Sequence, residues 1–174
     1  MTRWLAILPL LALIGFAYIG IVNLNRAEKP TTALSDGRDA PARIFETLIG
    51  PELSYDFSNT ASDRPIAVNL FASWCGPCIA EHPLLLSLEE QHPDQVYGLL
   101  YKDTAENGRA FLQRLGNPYT AVAMDPTGQG GLDFGLTGVP ETFIISPKGE
   151  ILLHVRGPLD ADTLQEVSDL LLKD

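Results

Sequence analysis

The hydrophobic pattern changes three times along the chain. From Trp4 to Val22 there are 19 residues without a charged side chain, closed by Asn23-Leu24-Asn25-Arg26; as a helix this run is roughly 28 Å long, enough to span a bilayer's hydrocarbon. Residues 23–40 are polar, with Pro30, paired threonines, Ser35 and Gly37, and predict a tether reaching about 60 Å when extended and about 25 Å as a coil. The pattern over 41–63 is weak; Ile44, Phe45 and Leu48, then Leu53, Tyr55 and Phe57, suggest a hairpin around Gly50-Pro51. Ile66–Ala72 is a nearly continuous apolar run, as expected of a strand buried on both faces. Ile79–Gln91 repeats Leu84, Leu85 and Leu88 at helical spacing, and Gln95–Tyr101 reads as a second strand. Strand, helix and strand of these lengths make a parallel, right-handed βαβ unit.

Further on, Asp103-Thr104-Ala105-Glu106 resembles a capping box led by Asp103, opening a helix through Phe111, Leu112 and Leu115 to Gly116. A short strand over Tyr119–Met124 and a short helix over Leu132–Phe134 follow. Glu141–Ser146 and Glu150–Arg156 form a hairpin about Pro147-Lys148-Gly149, and Asp160 or Asp162 caps a last helix carrying Leu164, Val167, Leu170 and Leu171. The order β-α-β-α-β-β-α, with a small N-terminal addition, predicts an α/β domain with a central sheet covered by helices. The chain thus divides into an N-terminal anchor (1–22), a linker (23–40) and a globular domain (41–174).

The first run competes with a cleavable signal peptide, but Asn25-Arg26-Ala27 is a poor cleavage site and the apolar stretch is long. It is read as an uncleaved single-pass anchor, with Trp4 and Tyr18 near the interfaces. Arg3 faces Arg26 and Lys29 across the span, so charge sets orientation weakly; a short cytoplasmic tail and an exported domain are expected. Of the 12 basic and 22 acidic residues, 9 and 21 lie from Pro30 onward, a net charge of -12. Such a domain lacks the clustered Lys and Arg that phosphate backbones demand, which excludes nucleic acid as a partner.

Both cysteines fall in Ser73-Trp74-Cys75-Gly76-Pro77-Cys78, between the buried strand and the helix. Three uses compete for this spacing. A structural zinc needs about four ligands, and only His82, His92 and His154 remain, dispersed along the sequence, so no metal is assigned. A structural disulfide across two residues would constrain the unfolded chain little. A redox-active pair suits a strand-to-helix junction. Cys75, where helix N–H groups and the macrodipole favour thiolate, is the expected attacking sulfur; Cys78, on the same side of the first turn, resolves the mixed disulfide. Gly76 permits close backbone approach, and Pro77 takes an early helical position where its missing N–H costs nothing.

Trp74-Cys75-Gly76-Pro77-Cys78, Pro83 and the Val139-Pro140 pair resemble the thioredoxin superfamily over about Asp39 to Asp174. The closer resemblance is to the DsbE/CcmG family of membrane-anchored cytochrome c maturation thioredoxins. It rests on Trp74-Cys75-x-x-Cys78-x-x-Glu81-His82, Tyr101-Lys102-Asp103, Leu115-Gly116-Asn117-Pro118-Tyr119 and Gly138-Val139-Pro140-Glu141-Thr142-Phe143. This implies a thioredoxin-like three-layer fold with a central mixed sheet, an N-terminal single transmembrane helix, and a cis bond before Pro140 beside the dithiol. It implies a periplasmic domain on the bacterial inner membrane that takes electrons from a membrane thiol donor of the DsbD/CcdA type. Its expected targets are disulfides of apocytochrome c or of a cytochrome c maturation protein. No cofactor is expected beyond the Cys75–Cys78 pair.

Six residues before Cys75, where ordinary thioredoxins carry a buried aspartate, this chain has Asn69. Because an amide does not exchange protons at working pH, Glu81, one turn beyond Cys78, is the candidate to assist it, with Glu141 second and an ordinary solvated acid as the alternative. His82 is expected to be partly exposed and structural, Trp74 to pack on the active-site loop with a face for bound peptide, and Phe143 and Leu70 to be core. Gly138, Val139, Pro140 and Glu141 form the expected peptide-contacting edge, with Trp74, Gly76 and Pro77 opposite. A general extracytoplasmic reductant or oxidant is the competing enzyme reading, and a metallochaperone, poor in ligands with Met1 and Met124 the only methionines, the competing binding protein.

Overall fold

A computed structural model describes residues 7–24, 30–34, 37–60 and 62–173. The first element is a helix, α1 (Ile7–Leu24), 18 residues long and therefore about 27 Å. No helix among the described residues is long and apolar enough to cross a membrane. The span expected over Trp4–Val22 begins outside the described residues, as do Arg3, Arg26 and Lys29, on which its orientation was read.

The domain is built on one eight-stranded mixed sheet. Its strands are β1 (Thr31–Leu34), β2 (Ile44–Ile49), β3 (Ser54–Asp56), β4 (Ile66–Phe71), β5 (Val96–Tyr101), β6 (Ala121–Asp125), β7 (Glu141–Ile145) and β8 (Ile151–Arg156). The order across the sheet is β1-β8-β7-β4-β5-β6-β2-β3, with β4, β5 and β6 parallel and the other pairings antiparallel. The helices α2 (Gly76–Gln91), α3 (Ala105–Leu115) and α5 (Ala161–Leu171) put Leu85, Leu88, Phe111, Leu112, Val167 and Leu171 into one core. Phe134 of α4 (Gln129–Phe134) and Phe45 and Phe57 of the β2–β3 region fill the other. Strand β4 serves both: Ala67 and Phe71 face the first core, Ile66, Val68 and Leu70 the second. That two-sided burial is why the strand reads as a continuous apolar run rather than an alternating one. Leu70 and Phe143 are fully buried, as expected.

Two local readings change. The polar stretch expected as a free tether contains β1, paired with β8 through Thr31↔Arg156 to Leu34↔Leu153. Arg38 O then accepts from Ile151 N at 2.9 Å, and Ala40 N donates to Gly149 O at 2.7 Å. Thus the chain is tied to the sheet ten residues before the domain was expected to begin. Thr104, not Asp103, caps α3: its side chain accepts from Asn107 N at 3.2 Å, while Asp103 turns toward the strand-helix loop around Ser73. Cys75 is the N-cap of α2, at the start of the helix as expected. At the last helix Asp160 is the cap, forming a reciprocal capping box with Thr163. Thr104→Ala is expected to cost about 1 kcal/mol, seen as a lower urea midpoint with an unchanged slope.

One row of the register places the site. Thr31 lies opposite Arg156, Arg156 opposite Glu141, and Glu141 opposite Leu70. The end of the sheet from which the chain leaves β4 for the cysteines is therefore also the end at which β7 begins and β1 enters.

Candidate active site

Beyond Phe71 the chain turns through Ala72, Ser73 and Trp74, with Cys75 N donating to Ala72 O at 3.2 Å. Two bonds from the β5–α3 connection hold this turn: Ser73 N donates to Asp103 Oδ2 at 2.7 Å, and Trp74 Nε1 donates to Lys102 O at 3.2 Å. Burial of Asp103 favours its neutral form, but hydrogen bonds from Ser73, Thr104 and Asn107 outweigh it and hold the carboxyl below the usual range. Asp103 is thus a charged anchor for the active-site loop. Sequence reading missed this role because the same residue also fits a helix-cap pattern.

Cys75 and Cys78 are joined in a disulfide, their Cα atoms 5.3 Å apart. Cys78 N donates to Cys75 Sγ at 3.1 Å, so a free N–H of the first helical turn points at the sulfur expected to attack. In the reduced protein this donor and the helix dipole favour a Cys75 thiolate. Both cysteines are buried, at 3% and 2% exposure, whereas Trp74 at 60% and Ile79 at 41% stand out around them. Gly76 and Pro77 are exposed, and a Cβ built at Gly76 would meet nothing within 4 Å, so no neighbour in the protein requires glycine there.

The Val139–Pro140 bond is cis, and Val139 O lies 3.5 Å from Cys75 Sγ. Gly138 is exposed, Val139 half-buried and Pro140 buried. The loop's backbone, more than its side chains, is therefore what a peptide arriving at Cys75 would meet. Glu141 does not share that edge with its side chain. It is 1% exposed and accepts from Thr137 N at 3.0 Å, Gly138 N at 3.3 Å, the Thr137 hydroxyl, and His154 Nε2 at 2.6 Å. Burial acts to raise its pKa, but His154 and Thr137 prevail and hold it below the usual range. An ionised carboxylate so engaged positions the loop ahead of Pro140 and is a poor proton carrier.

Glu81 has the opposite character. It is 1% exposed rather than solvated, and its two oxygens accept from Asn69 Nδ2 at 3.0 Å and Leu159 N at 2.8 Å. Burial lifts its pKa from 4.5 to about 7, against the lowering effect of those two bonds. Asn69 accepts from Tyr119 Oη at 2.8 Å and gives its second N–H to Thr142 Oγ1 at 3.0 Å, so the amide is fully engaged. An aspartate in its place would set a second carboxylate against Glu81; the amide instead donates to it. The buried acid has in effect moved from β4 to α2, one turn past Cys78. Tyr119, the last residue of the Leu115–Tyr119 motif, and Leu159, which no short-range pattern marks, belong to this cluster.

His82 is buried at 2%, not partly exposed: Nε2 lies 3.0 Å from Gly116 O and the ring packs edge-on to Phe111, with burial lowering its pKa. His92 pairs with Ser168 and His154 with Glu141, so the three histidines serve three separate places.

The redoxin family model matches residues 35–171. The chain is 38% identical over 174 residues to the thiol:disulfide interchange protein HelX of Rhodobacter capsulatus, covering 99% of this chain and 97% of that one. It is 33% identical over 171 residues to the thiol:disulfide interchange protein DsbE of Escherichia coli, covering 95% and 92%. The crystal structure of a secreted thiol-disulfide isomerase from Corynebacterium glutamicum superposes with a TM-score of 0.70 at 16% identity, over 86% of this chain and 96% of that one. This last likeness speaks for the fold alone.

Proposed function

Because the chain belongs to the redoxin family, among the DsbE-type thiol:disulfide interchange proteins, and is a thiol-disulfide oxidoreductase, we propose that it is a membrane-anchored periplasmic reductant of disulfides in apocytochrome c or its maturation partner. The observation that carries the exchange reading is the Cys78 N–H at 3.1 Å from Cys75 Sγ, beside exposed Gly138 and half-buried Val139; the reductive direction rests on the resemblance to the DsbE/CcmG family. The cytochrome target rests on the motif set from Trp74 to His82 and from Gly138 to Phe143. The anchor rests on the charge-free run from Trp4 to Val22 and on large apolar side chains such as Phe16 and Ile19, which stand 80% and 60% exposed on α1.

The electron balance is simple. The Cys75 thiolate attacks one sulfur of the target disulfide, forming a mixed disulfide and expelling the target's other sulfur as thiolate. Cys78, once deprotonated, attacks Cys75 Sγ, releasing the second target thiolate and leaving the Cys75–Cys78 disulfide. Two electrons pass to the target. A membrane thiol donor of the DsbD/CcdA type returns them by the same exchange in reverse. Glu81 is the acceptor for the Cys78 proton: the buried thiol must ionise, and the carboxyl one turn away is poised near neutrality.

Expressing Cys78→Ser in the native host, which leaves the mixed disulfide unresolved, and identifying what accumulates on Cys75 tests this reading. Apocytochrome c or a maturation protein is the expected adduct. A broad mixture of exported proteins would assign a general reductant instead.

A further inference from the structure

The path by which the chain enters the sheet points to an orientation for the whole domain. We propose that the docking of β1 on β8 holds the dithiol end of the sheet toward the bilayer, so that the protein exchanges electrons with partners whose thiols lie close to the membrane surface. This rests on the anchor reading above.

The contacts form a short chain. Pro30 Cα lies 3.7 Å from the Cβ position of Gly157, Gly157 N donates to Pro140 O at 3.1 Å, and Val139 O is 3.5 Å from Cys75 Sγ. Thr31 and Leu70 occupy the same row of the sheet, separated by three strand spacings, or about 15 Å. The point where the chain joins the sheet is therefore beside the cis-proline loop, at the catalytic end.

Length decides the rest. From Leu24 to Pro30 there are six residue steps, which span about 21 Å at most whatever their path. A domain of this size is roughly 37 Å across. To turn its far end toward the membrane, the connection would have to reach past the whole domain, and it is too short. The net charge of -12 from Pro30 onward also opposes lying flat on an anionic leaflet. Leu70, at the dithiol end of β4, is thereby confined to within about 36 Å of the end of α1, the sum of connection and sheet row. A free tether over 23–40 would have imposed neither the limit nor the facing; β1 imposes both.

The test uses the full chain with Cys75→Ser and Cys78→Ser, reconstituted in nanodiscs of phosphatidylethanolamine and phosphatidylglycerol with acceptor-labelled headgroups. A donor dye is placed either at Ile79→Cys, beside the dithiol, or at Lys148→Cys, in the exposed turn at the other end of the sheet. The two positions differ by about 20 Å along the strands, and energy transfer from position 79 is expected to be roughly twofold or more stronger. Equal or reversed transfer from protein that co-elutes with the discs would overturn the orientation and leave the anchor standing; failure to co-elute would overturn both. Ala33→Pro, which breaks the β1 ladder, is expected to bring the two transfer values together with near-ultraviolet circular dichroism unchanged. An undiminished difference in that variant would show that β1 does not set the facing.

Discussion

Cys75→Ser is expected to lose disulfide exchange completely, with turnover of a disulfide peptide falling by about three orders of magnitude or more, to the level of the reductant alone. The asymmetry with Cys78 makes this informative. Cys75 Sγ receives the helix N–H and lies beside Val139 O, so it alone has both a stabilised thiolate and a neighbouring backbone edge for the target. Cys78→Ser keeps the first attack and loses resolution: a stoichiometric burst of mixed disulfide without turnover. Neither change should unfold the domain, because a bridge across two residues adds little stability, and thermal denaturation checks this. A burst from Cys75→Ser rather than from Cys78→Ser would invert the assigned roles.

Glu81→Gln is expected to remove a step near pH 7 from both reactivity and stability. Burial raises the folded-state pKa of Glu81 from 4.5 to about 7. Between those values the unfolded chain releases this proton while the native protein keeps it. Stability is therefore fully present below pH 4.5, falls as pH rises, and levels off above about 7; the loss is about 3 kcal/mol at 1.4 kcal/mol per unit. Glutamine cannot ionise, so urea titrations at pH 4.5 and 8 should differ less in the variant by about that amount. It also leaves one of the two donors, Asn69 Nδ2 or Leu159 N, facing an amide nitrogen, a penalty of about 1–3 kcal/mol that is independent of pH. Resolution of the mixed disulfide should accelerate in wild type as pH rises through 7, when Glu81 can accept the Cys78 proton, and should lose that acceleration in the variant. An unchanged rate profile beside an altered stability profile would leave Glu81 a structural acid only.

Elements with a strong period of their own were legible in the sequence. Ile66–Phe71 announced a strand buried on both faces, and the cysteines at its end announced the chemistry. The missing aspartate at position 69 pointed to an acid elsewhere, and the family motifs favoured Glu81, although helix acids are ordinarily solvated. The errors lie where a residue's role is set by distant neighbours. Asp103 looked like a helix cap because the local spacing suits one, yet Ser73, thirty residues away, claims its carboxylate. Glu141, next to Pro140, looked like part of the exposed edge, but in a strand neighbouring side chains face opposite sides, and His154 on β8 draws this one inward. Thr31–Leu34 carried no strand signal beyond two threonines; pairing with β8 supplies its order.

The open space around Gly76 has a further consequence. Gly76 and Pro77 are exposed, and a Cβ at position 76 would meet no atom within 4 Å beyond its chain neighbours and its own helix backbone, while the turn before Cys75 is fastened independently through Asp103 and Lys102. The dipeptide between the sulfurs is therefore a replaceable cassette. Its members can be exchanged to retune the driving force of electron transfer, by evolution or by design, without renegotiating the core beneath.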